Sequence, residues 1–207
     1  MCFSAPASFV ASGGLIALGG ASFVVAKKKD KLLAVIPLLF GIQQALEGVQ
    51  WLYLNHGSSS FFMGYGFLFF AFIVWPVYVP VFVYIIDIKR RKYLKWFIFI
   101  GIAVALYALG LLLTQSLVIR ELRACVNYDF NFPFQYVANG AYMLAIFGPL
   151  FVSRREAFKW FGAVVAIFAI ISWYYFTANL VSVWCFFAAV VSSMLFVYIT
   201  FKKPAQS

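Results

Sequence analysis

Long apolar runs separated by short polar segments dominate the sequence. Seven runs of about 20 residues can be traced, at 7–26, 32–54, 62–86, 94–114, 134–152, 157–176 and 180–200. At about 1.5 Å per residue, a helix of this length crosses a hydrocarbon core of about 30 Å. Lipid offers no partners for free backbone groups, and the runs are too long for barrel strands. The pattern therefore predicts seven transmembrane helices in a single domain over residues 1–207.

Composition agrees with lipid as the solvent. Of the 207 residues, 65% are hydrophobic and 21% are aromatic. One soluble core of this size cannot hide so much apolar side chain. The sequence therefore indicates an all-α integral membrane protein, with the lipid bilayer as its first partner.

The basic residues predict how the chain is threaded. Fourteen of the sixteen lysines and arginines fall on one side of the predicted bundle, in segments 27–31, 89–95, 154–159 and 202–203. Arg120 and Arg123 lie opposite. The positive-inside rule then places the N-terminus outside and the C-terminus in the cytoplasm, as in a multi-pass protein of the bacterial inner membrane. The net charge of +10 is explained by threading and lipid headgroups, so no nucleic-acid partner is expected.

The stretch GIQQALEGVQW, residues 41–51, places several polar side chains inside an apolar helix. At 100° per residue, four neighbours fall within about 60° of Glu47 on the helical wheel: Gln43, Gln44, Gln50 and Trp51. This face must point into the bundle, because hydrogen-bonding groups turned toward acyl chains would be unsatisfied. Counted from Leu33, Glu47 lies about 21 Å along the helix, in its outer half.

Glu47 is the only ionisable residue that these boundaries place well inside the hydrocarbon. A carboxyl there is protonated, bound to a cation or exposed to a water-filled cavity. The simpler alternative is a protonated Glu that joins helices, worth about 1 kcal/mol. Asn139 and Ser182 are candidate partners at the same depth. These residues predict a Glu-centred polar cavity that opens to the outer side.

Cysteine and histidine offer a second candidate site. Cys2, Cys125 and Cys185 all fall toward the outer side. If the N-terminus folds over the bundle mouth, Cys2 can meet Cys185 in a disulfide or, with His56, in a metal site. The alternatives are that Cys185 is a small apolar residue at a helix contact and that His56 is a solvated loop residue.

Two cofactor classes are excluded, and the identity of any cofactor stays open. No lysine lies between Lys159 and Lys202, so the last helix cannot form a retinal Schiff base. A single histidine excludes bis-histidine haem ligation within one chain.

Three further features concern access and motion. Segment 116–133 is the only predicted outer loop long enough to act as a lid. Pro76 and Pro80 each remove a backbone donor and should kink the third helix. The motifs FFA and FVYI occur in the third helix and again in the seventh, which is compatible with an internal repeat or with chance.

Four motifs point to a family. MCFSAPASF at 1–9, QQALEG at 43–48, YDF at 128–130 and VSVWCFFAA at 181–189 resemble an uncharacterised family of bacterial multi-pass membrane proteins. The resemblance spans most of the chain and implies no activity. It implies that Cys2, Glu47 and Cys185 lie in the stretches by which such proteins look alike, which leaves Cys125 as the spare thiol.

The favoured function is transport or sensing of a small solute, cation or proton, with Glu47 as the proton or cation site. A membrane-embedded redox or metal enzyme that uses Cys2 and Cys185 is the first alternative, and the sequence favours it less. A structural subunit of a larger membrane complex is the second. A cavity that reaches Glu47 would favour transport. Paired sulfurs or a bound metal would favour the enzyme, and a Glu47 without access to water would favour the structural subunit.

Overall fold

A computed structural model describes residues 4–201, which fold into seven long helical segments and one β-hairpin. The elements are α1 (Ala5–Val25), α2 (Lys31–Asn55), α3 (Phe61–Phe69), a π-helical turn (Phe70–Val74), α4 (Trp75–Ile86), α5 (Arg91–Thr114), β1 (Val118–Leu122), β2 (Cys125–Asp129), α6 (Gln135–Val152), α7 (Glu156–Tyr175), α8 (Leu180–Ser192) and α9 (Met194–Phe201). The π-helical turn joins α3 to α4, and α8 continues into α9. Each predicted apolar run is thus a helical segment, and the largest boundary error is at α5, which begins at Arg91 instead of 94.

Six of the seven segments are long and apolar enough to span a membrane. The exception is α6, which has 18 residues and carries polar Gln135 and Asn139 in its first turns. Large apolar side chains are exposed around the bundle, as Leu113 and Phe62 illustrate at 78% and 79% exposure. Such a surface is suited to lipid. The fold is therefore helical, with six segments that could span a membrane, as expected of a multi-pass membrane protein.

Two of the segments are interrupted near their middle. The π-helical turn between α3 and α4 directly precedes Trp75 and Pro76, and proline cannot donate the i to i−4 hydrogen bond of a regular helix. The kink expected from Pro76 and Pro80 stays a prediction, and the irregularity that the structure shows is the π-helical turn before Pro76. The second interruption is at Ser193, between α8 and α9, where the Ser193 hydroxyl donates to the Val190 carbonyl at 2.6 Å.

Segment 116–133, predicted as a loop, contains a β-hairpin. Strands β1 and β2 pair antiparallel, with Leu122 opposite Cys125. The connecting residues, Arg123 and Ala124, have φ values of 52° and 54°. This left-handed pair closes a two-residue hairpin turn, but the usual Asn-Gly or Asp-Gly signal is missing. The prediction of a simple loop was wrong because nothing in the local sequence marks the turn.

The hairpin covers one end of the bundle. The Asn127 side-chain amide donates to the Ala178 carbonyl at 2.5 Å, and that of Asn179 donates to the Leu122 carbonyl at 2.8 Å. These bonds tie β1 and β2 to the short connection between α7 and α8. We call this side the hairpin end.

The opposite side carries the predicted basic clusters, and we call it the basic end. Here Asp87 follows α4 and is almost fully buried. Its Oδ2 accepts hydrogen bonds from the Ser153 hydroxyl at 2.8 Å and from the Arg154 backbone N–H at 2.7 Å. Burial alone would raise the pKa of Asp87, but these hydrogen bonds and the charge of Arg155 outweigh it and lower the pKa. A carboxylate thus joins the end of α4 to the turn between α6 and α7.

Candidate functional site

The polar face of α2 lies inside the bundle. Gln43, Gln44, Glu47 and Gln50 are all fully buried. Burial follows from the helical spacing, since the four side chains share one face and the other faces of α2 are apolar. The predicted inward orientation of this face is confirmed.

Glu47 connects α2 to α8. The Ser182 hydroxyl donates to Glu47 Oε1 at 2.5 Å, and Gln44 Nε2 donates to Glu47 Oε2 at 3.4 Å. The shorter distance lies in the range of a hydroxyl that donates to a carboxylate. The structure therefore brings together three of the predicted residues, Gln44, Glu47 and Ser182.

Gln43 forms hydrogen bonds outside this group, through both ends of its side-chain amide. Its Oε1 accepts from Trp75 Nε1 at 2.8 Å, and its Nε2 donates to the Phe67 carbonyl at 3.5 Å. Trp51 lies in an apolar cluster that includes Phe67 and Cys185. In these positions Gln43 holds α2 against α3 and α4, and Trp51 packs the core.

A large cavity of about 860 Å³ lies beneath the hairpin. Its floor includes Phe72, Tyr142, Trp184 and Cys185, and its polar lining includes Arg120, Asn127, Asp129, Asn131, Gln135 and Asn139. Arg120 and Asp129 form an ion pair at 2.8 Å, with more than half of each side chain exposed. The cavity thus combines an aromatic floor with a polar rim.

Glu47 does not line this cavity, because α8 stands between them. Val181, Trp184 and Cys185 face the cavity, whereas Ser182 bonds to Glu47 on another face of the same helix. Of the residues predicted around Glu47, Asn139 lies in the cavity wall. The predicted single polar site is therefore two sites that share α8 as a wall.

A smaller apolar void of about 50 Å³ lies deeper in the bundle. Tyr142, Trp184 and Cys185 line both this void and the larger cavity, so they separate the two. The rings of Tyr142 and Trp184 meet edge to face, with centroids 5.6 Å apart. The Tyr142 hydroxyl donates to the Ala71 carbonyl, within the π-helical turn, at 2.7 Å.

The second predicted site is not assembled among the described residues. His56 is exposed at the end of α2, and Cys125 is buried in a small cluster with Val183. Cys2 lies outside the described residues, so its predicted approach to Cys185 has no structural counterpart here. Within residues 4–201, no group of three His, Cys, Asp or Glu side chains is placed to hold a metal ion.

Sequence reasoning missed most of the cavity's polar rim. Arg120, Asn127 and Asp129 are brought together by the hairpin register, which pairs Arg120 with Asn127. The available signal for two strands was the presence of residues favoured in strands, namely Val118, Ile119, Val126 and Tyr128. Recognising the turn at Arg123 and Ala124 would have been necessary to use it.

Comparison with known families gives one match. The chain matches a family described as "Family of unknown function (DUF6629)" over residues 1–207, and it belongs to that family. Searches of curated proteins and of solved structures gave no match.

Proposed function

We propose that this protein is a multi-pass membrane protein that binds a small solute beneath the hairpin, as a transporter or a sensor. The cavity carries this proposal. Its volume of about 860 Å³ lies within the range of about 300–1,000 Å³ typical of small-molecule sites. An aromatic floor with a few polar groups at the rim is the composition that such sites use for binding and orientation.

The lining favours a small solute without net charge. Among the described lining residues, Arg120 and Asp129 carry the formal charges, one of each sign. Their ion pair is more than half exposed, so it contributes less than about 1 kcal/mol and can exchange for a ligand. A neutral or zwitterionic molecule with one apolar part fits these features. Its apolar part would face Phe72 and Trp184, and its polar groups would face Asn139 and the rim.

The basic end supports the proposed threading. Lysines and arginines follow α1, α4 and α6, while the hairpin end carries Arg120 and Arg123 among the described residues. By the positive-inside rule, the hairpin end and the cavity mouth face outward. In a bacterial cell the protein would lie in the inner membrane and take its solute from the outer side.

The two interrupted helices favour transport over sensing. Segments 61–86 and 180–201 both run from the hairpin end to the basic end, and each contains an irregular helical turn near its middle. Both irregular turns fall between the start of FFA and the FVYI motif, which are the motifs compatible with an internal repeat or with chance. Local departures from regular helix in corresponding positions are compatible with a secondary transporter, in which repeats move against each other.

Binding to the cavity can be tested with purified protein and one matched pair of variants. Asn139→Trp places a large ring in the cavity wall, whereas Val137→Trp places the same ring on an exposed part of α6. Thermal unfolding would be followed with a panel of neutral and zwitterionic small solutes. A ligand at 100 times its Kd should stabilise the wild type by about 2.7 kcal/mol.

We expect a solute that stabilises the wild type and Val137→Trp but not Asn139→Trp. A panel without any effect, or equal stabilisation of both variants, would contradict the proposal. Uptake of a radiolabelled hit into proteoliposomes then separates transport from sensing.

The full burial of Glu47 favours a second candidate, a structural subunit of a larger membrane complex. In that role the bond between Glu47 and Ser182 serves to hold α2 against α8. Native electrophoresis of gently solubilised membranes distinguishes the candidates, because a subunit migrates together with its partners. A subunit should also show no change in thermal unfolding with any solute of the panel.

A further inference from the structure

The π-helical turn leaves one of its carbonyl groups without a donor from its own helix. In a regular α-helix the Ala71 carbonyl would accept from the Trp75 N–H, four residues later. Here the Trp75 N–H donates to the Phe70 carbonyl instead, in the i to i−5 pattern of a π-helix. The corresponding π-helical donor for Ala71 would be residue 76, which is a proline and has no N–H. The helix therefore supplies neither of the two usual donors.

The Tyr142 hydroxyl provides the missing donor from another helix, α6. It donates to the Ala71 carbonyl at 2.7 Å. Both residues are buried, with Ala71 1% and Tyr142 8% exposed. A buried carbonyl without a donor is unfavourable, because water cannot replace the missing bond. The π-helical turn therefore depends on the Tyr142 hydroxyl.

The ring of Tyr142 is part of the wall between the large cavity and the deeper void. It meets the Phe72 ring edge to face, with centroids 6.0 Å apart, and the Trp184 ring in the same way at 5.6 Å. Tyr142 and Trp184 line both spaces, and Phe72 lines the cavity. The hydrogen bond to Ala71 thus fixes one aromatic ring between two others at the cavity floor.

We propose that Tyr142 is a latch that keeps the floor of the cavity closed. Its hydroxyl takes the place of the N–H that Pro76 lacks, and the bond to Ala71 holds the ring between the cavity and the void. When this bond breaks, the ring can turn to another rotamer and the two spaces join. Tyr142 is then a positioning residue for the floor.

The void beyond the latch suits an apolar group. Phe40, Leu150 and Val165 are among its lining residues. Its volume of about 50 Å³ gives room for a few groups the size of a water molecule. Apolar cavities of this kind stay dry and accept apolar molecules. An open latch would therefore admit the apolar part of a solute, and this step rests on the proposed function.

A double-mutant cycle tests the hydrogen bond without any solute, by chemical unfolding of the purified protein. Tyr142→Phe keeps the ring and removes the hydroxyl, so it should lower the folding equilibrium constant about tenfold. Pro76→Ala places an N–H five residues after Ala71, where the π-helical pattern requires one. In the Pro76→Ala background, Tyr142→Phe should change the equilibrium constant by less than about twofold.

Tyr78→Phe is the matched control. The Tyr78 hydroxyl also donates to a carbonyl of another helix at 2.7 Å, that of Leu32 in α2. Tyr78 lies on the same helix as Pro76, so a general change of α4 caused by Pro76→Ala would alter its contribution as well. We expect Tyr78→Phe to lower stability by the same factor with and without Pro76→Ala.

Opening of the floor can be followed at Trp184. Its indole N–H is buried and has no hydrogen-bond acceptor among the described residues, so exchange with solvent requires the surrounding rings to move. Exchange would be measured by NMR in protein labelled with ¹⁵N at tryptophan, and Trp184→Phe assigns the signal. Tyr142→Phe should accelerate exchange by about tenfold or more, whereas Tyr78→Phe should not.

The double variant separates the latch from a purely structural role. With Pro76→Ala and Tyr142→Phe together, Ala71 has a backbone donor but the ring at position 142 is no longer held. Stability should then match that of Pro76→Ala alone, while exchange at Trp184 stays fast. A Tyr142→Phe protein that folds only together with Pro76→Ala would also support the replaced donor.

Several results would overturn the latch. They are an equal loss of stability from Tyr142→Phe in both backgrounds, exchange at Trp184 that Tyr142→Phe leaves unchanged, and equal acceleration of exchange by Tyr78→Phe. Failure of Tyr142→Phe to fold even with Pro76→Ala would also contradict it. A cavity that binds no solute would leave all these measurements unchanged, so the latch and the proposed function fail separately.

Discussion

A close contact between α4 and α5 leads to a specific prediction for Gly101. An ideal Cβ at Gly101 would lie 1.9 Å from the Pro76 carbonyl oxygen and 2.8 Å from its carbonyl carbon. This oxygen is available because Pro80, four residues later, has no N–H to donate to it. The two helices can approach this closely only because residue 101 has no side chain.

Gly101→Ala should therefore destabilise the bundle. Ordinary van der Waals contact begins at about 3.4 Å, so the backbone of α4 would have to move by about 1.5 Å. Overpacking of this kind costs about 1–3 kcal/mol, and a backbone atom yields less easily than a side chain. The intrinsic helix propensity of Ala recovers at most about 1 kcal/mol. We expect a net loss of about 2 kcal/mol.

Gly110→Ala is the matched control, because it lies on the same helix with nothing within 4 Å of an added Cβ. It gains the same helix propensity without the clash, so its stability should equal or exceed that of the wild type. Chemical denaturation in detergent micelles measures both variants. Equal stability of Gly101→Ala and Gly110→Ala would refute the close approach of α4 and α5.

Two further predictions concern the basic end. Because the pKa of Asp87 is lowered from 3.8, its carboxylate stabilises the fold fully above about pH 4, and this contribution is lost as pH falls through the lowered value. Asp87→Asn should lower the free energy of unfolding by about 1.5–3 kcal/mol at neutral pH and flatten the acid part of the stability curve. Asp129→Asn should lower it by less than about 1 kcal/mol. Equal losses for the two variants, measured by unfolding as a function of pH, would contradict a stabilising role of the Asp87 hydrogen bonds. For threading, an impermeant maleimide should label Ser58→Cys on intact cells but Ile88→Cys only after permeabilisation, in a background without the native cysteines. Equal labelling from outside would reject the proposed orientation.

The helices were predictable because lipid imposes one simple requirement. Each spanning segment must be long, apolar and internally bonded, so run length alone locates it. The inward face of α2 followed from the spacing of Gln43, Gln44, Glu47 and Gln50. Even α6 was located, although Gln135 and Asn139 reduce its apolar character. These features depend on local sequence and helical periodicity.

The division of the polar site could not be predicted, because it depends on tertiary packing. Asn139 and Ser182 both seemed suitable partners for Glu47 when depth in the membrane was the sole guide. Which face of α8 meets α2 is decided by how the whole bundle packs. The cavity's polar rim could not be predicted for a similar reason, because Arg120 and Asp129 come together only through a turn with two positive φ values.

Helix α8 connects the buried Glu47 to the cavity beneath the hairpin. Ser182 touches Glu47, while its neighbour Val181 and the residues one turn later, Trp184 and Cys185, line the cavity. The helix has 13 residues, and Ser193, which keeps right-handed helical φ and ψ angles, joins it to α9. The bond between Ser182 and Glu47 therefore also holds part of the cavity wall in place. By thermodynamic linkage, a solute that prefers this position of α8 would stabilise the contact between Glu47 and Ser182.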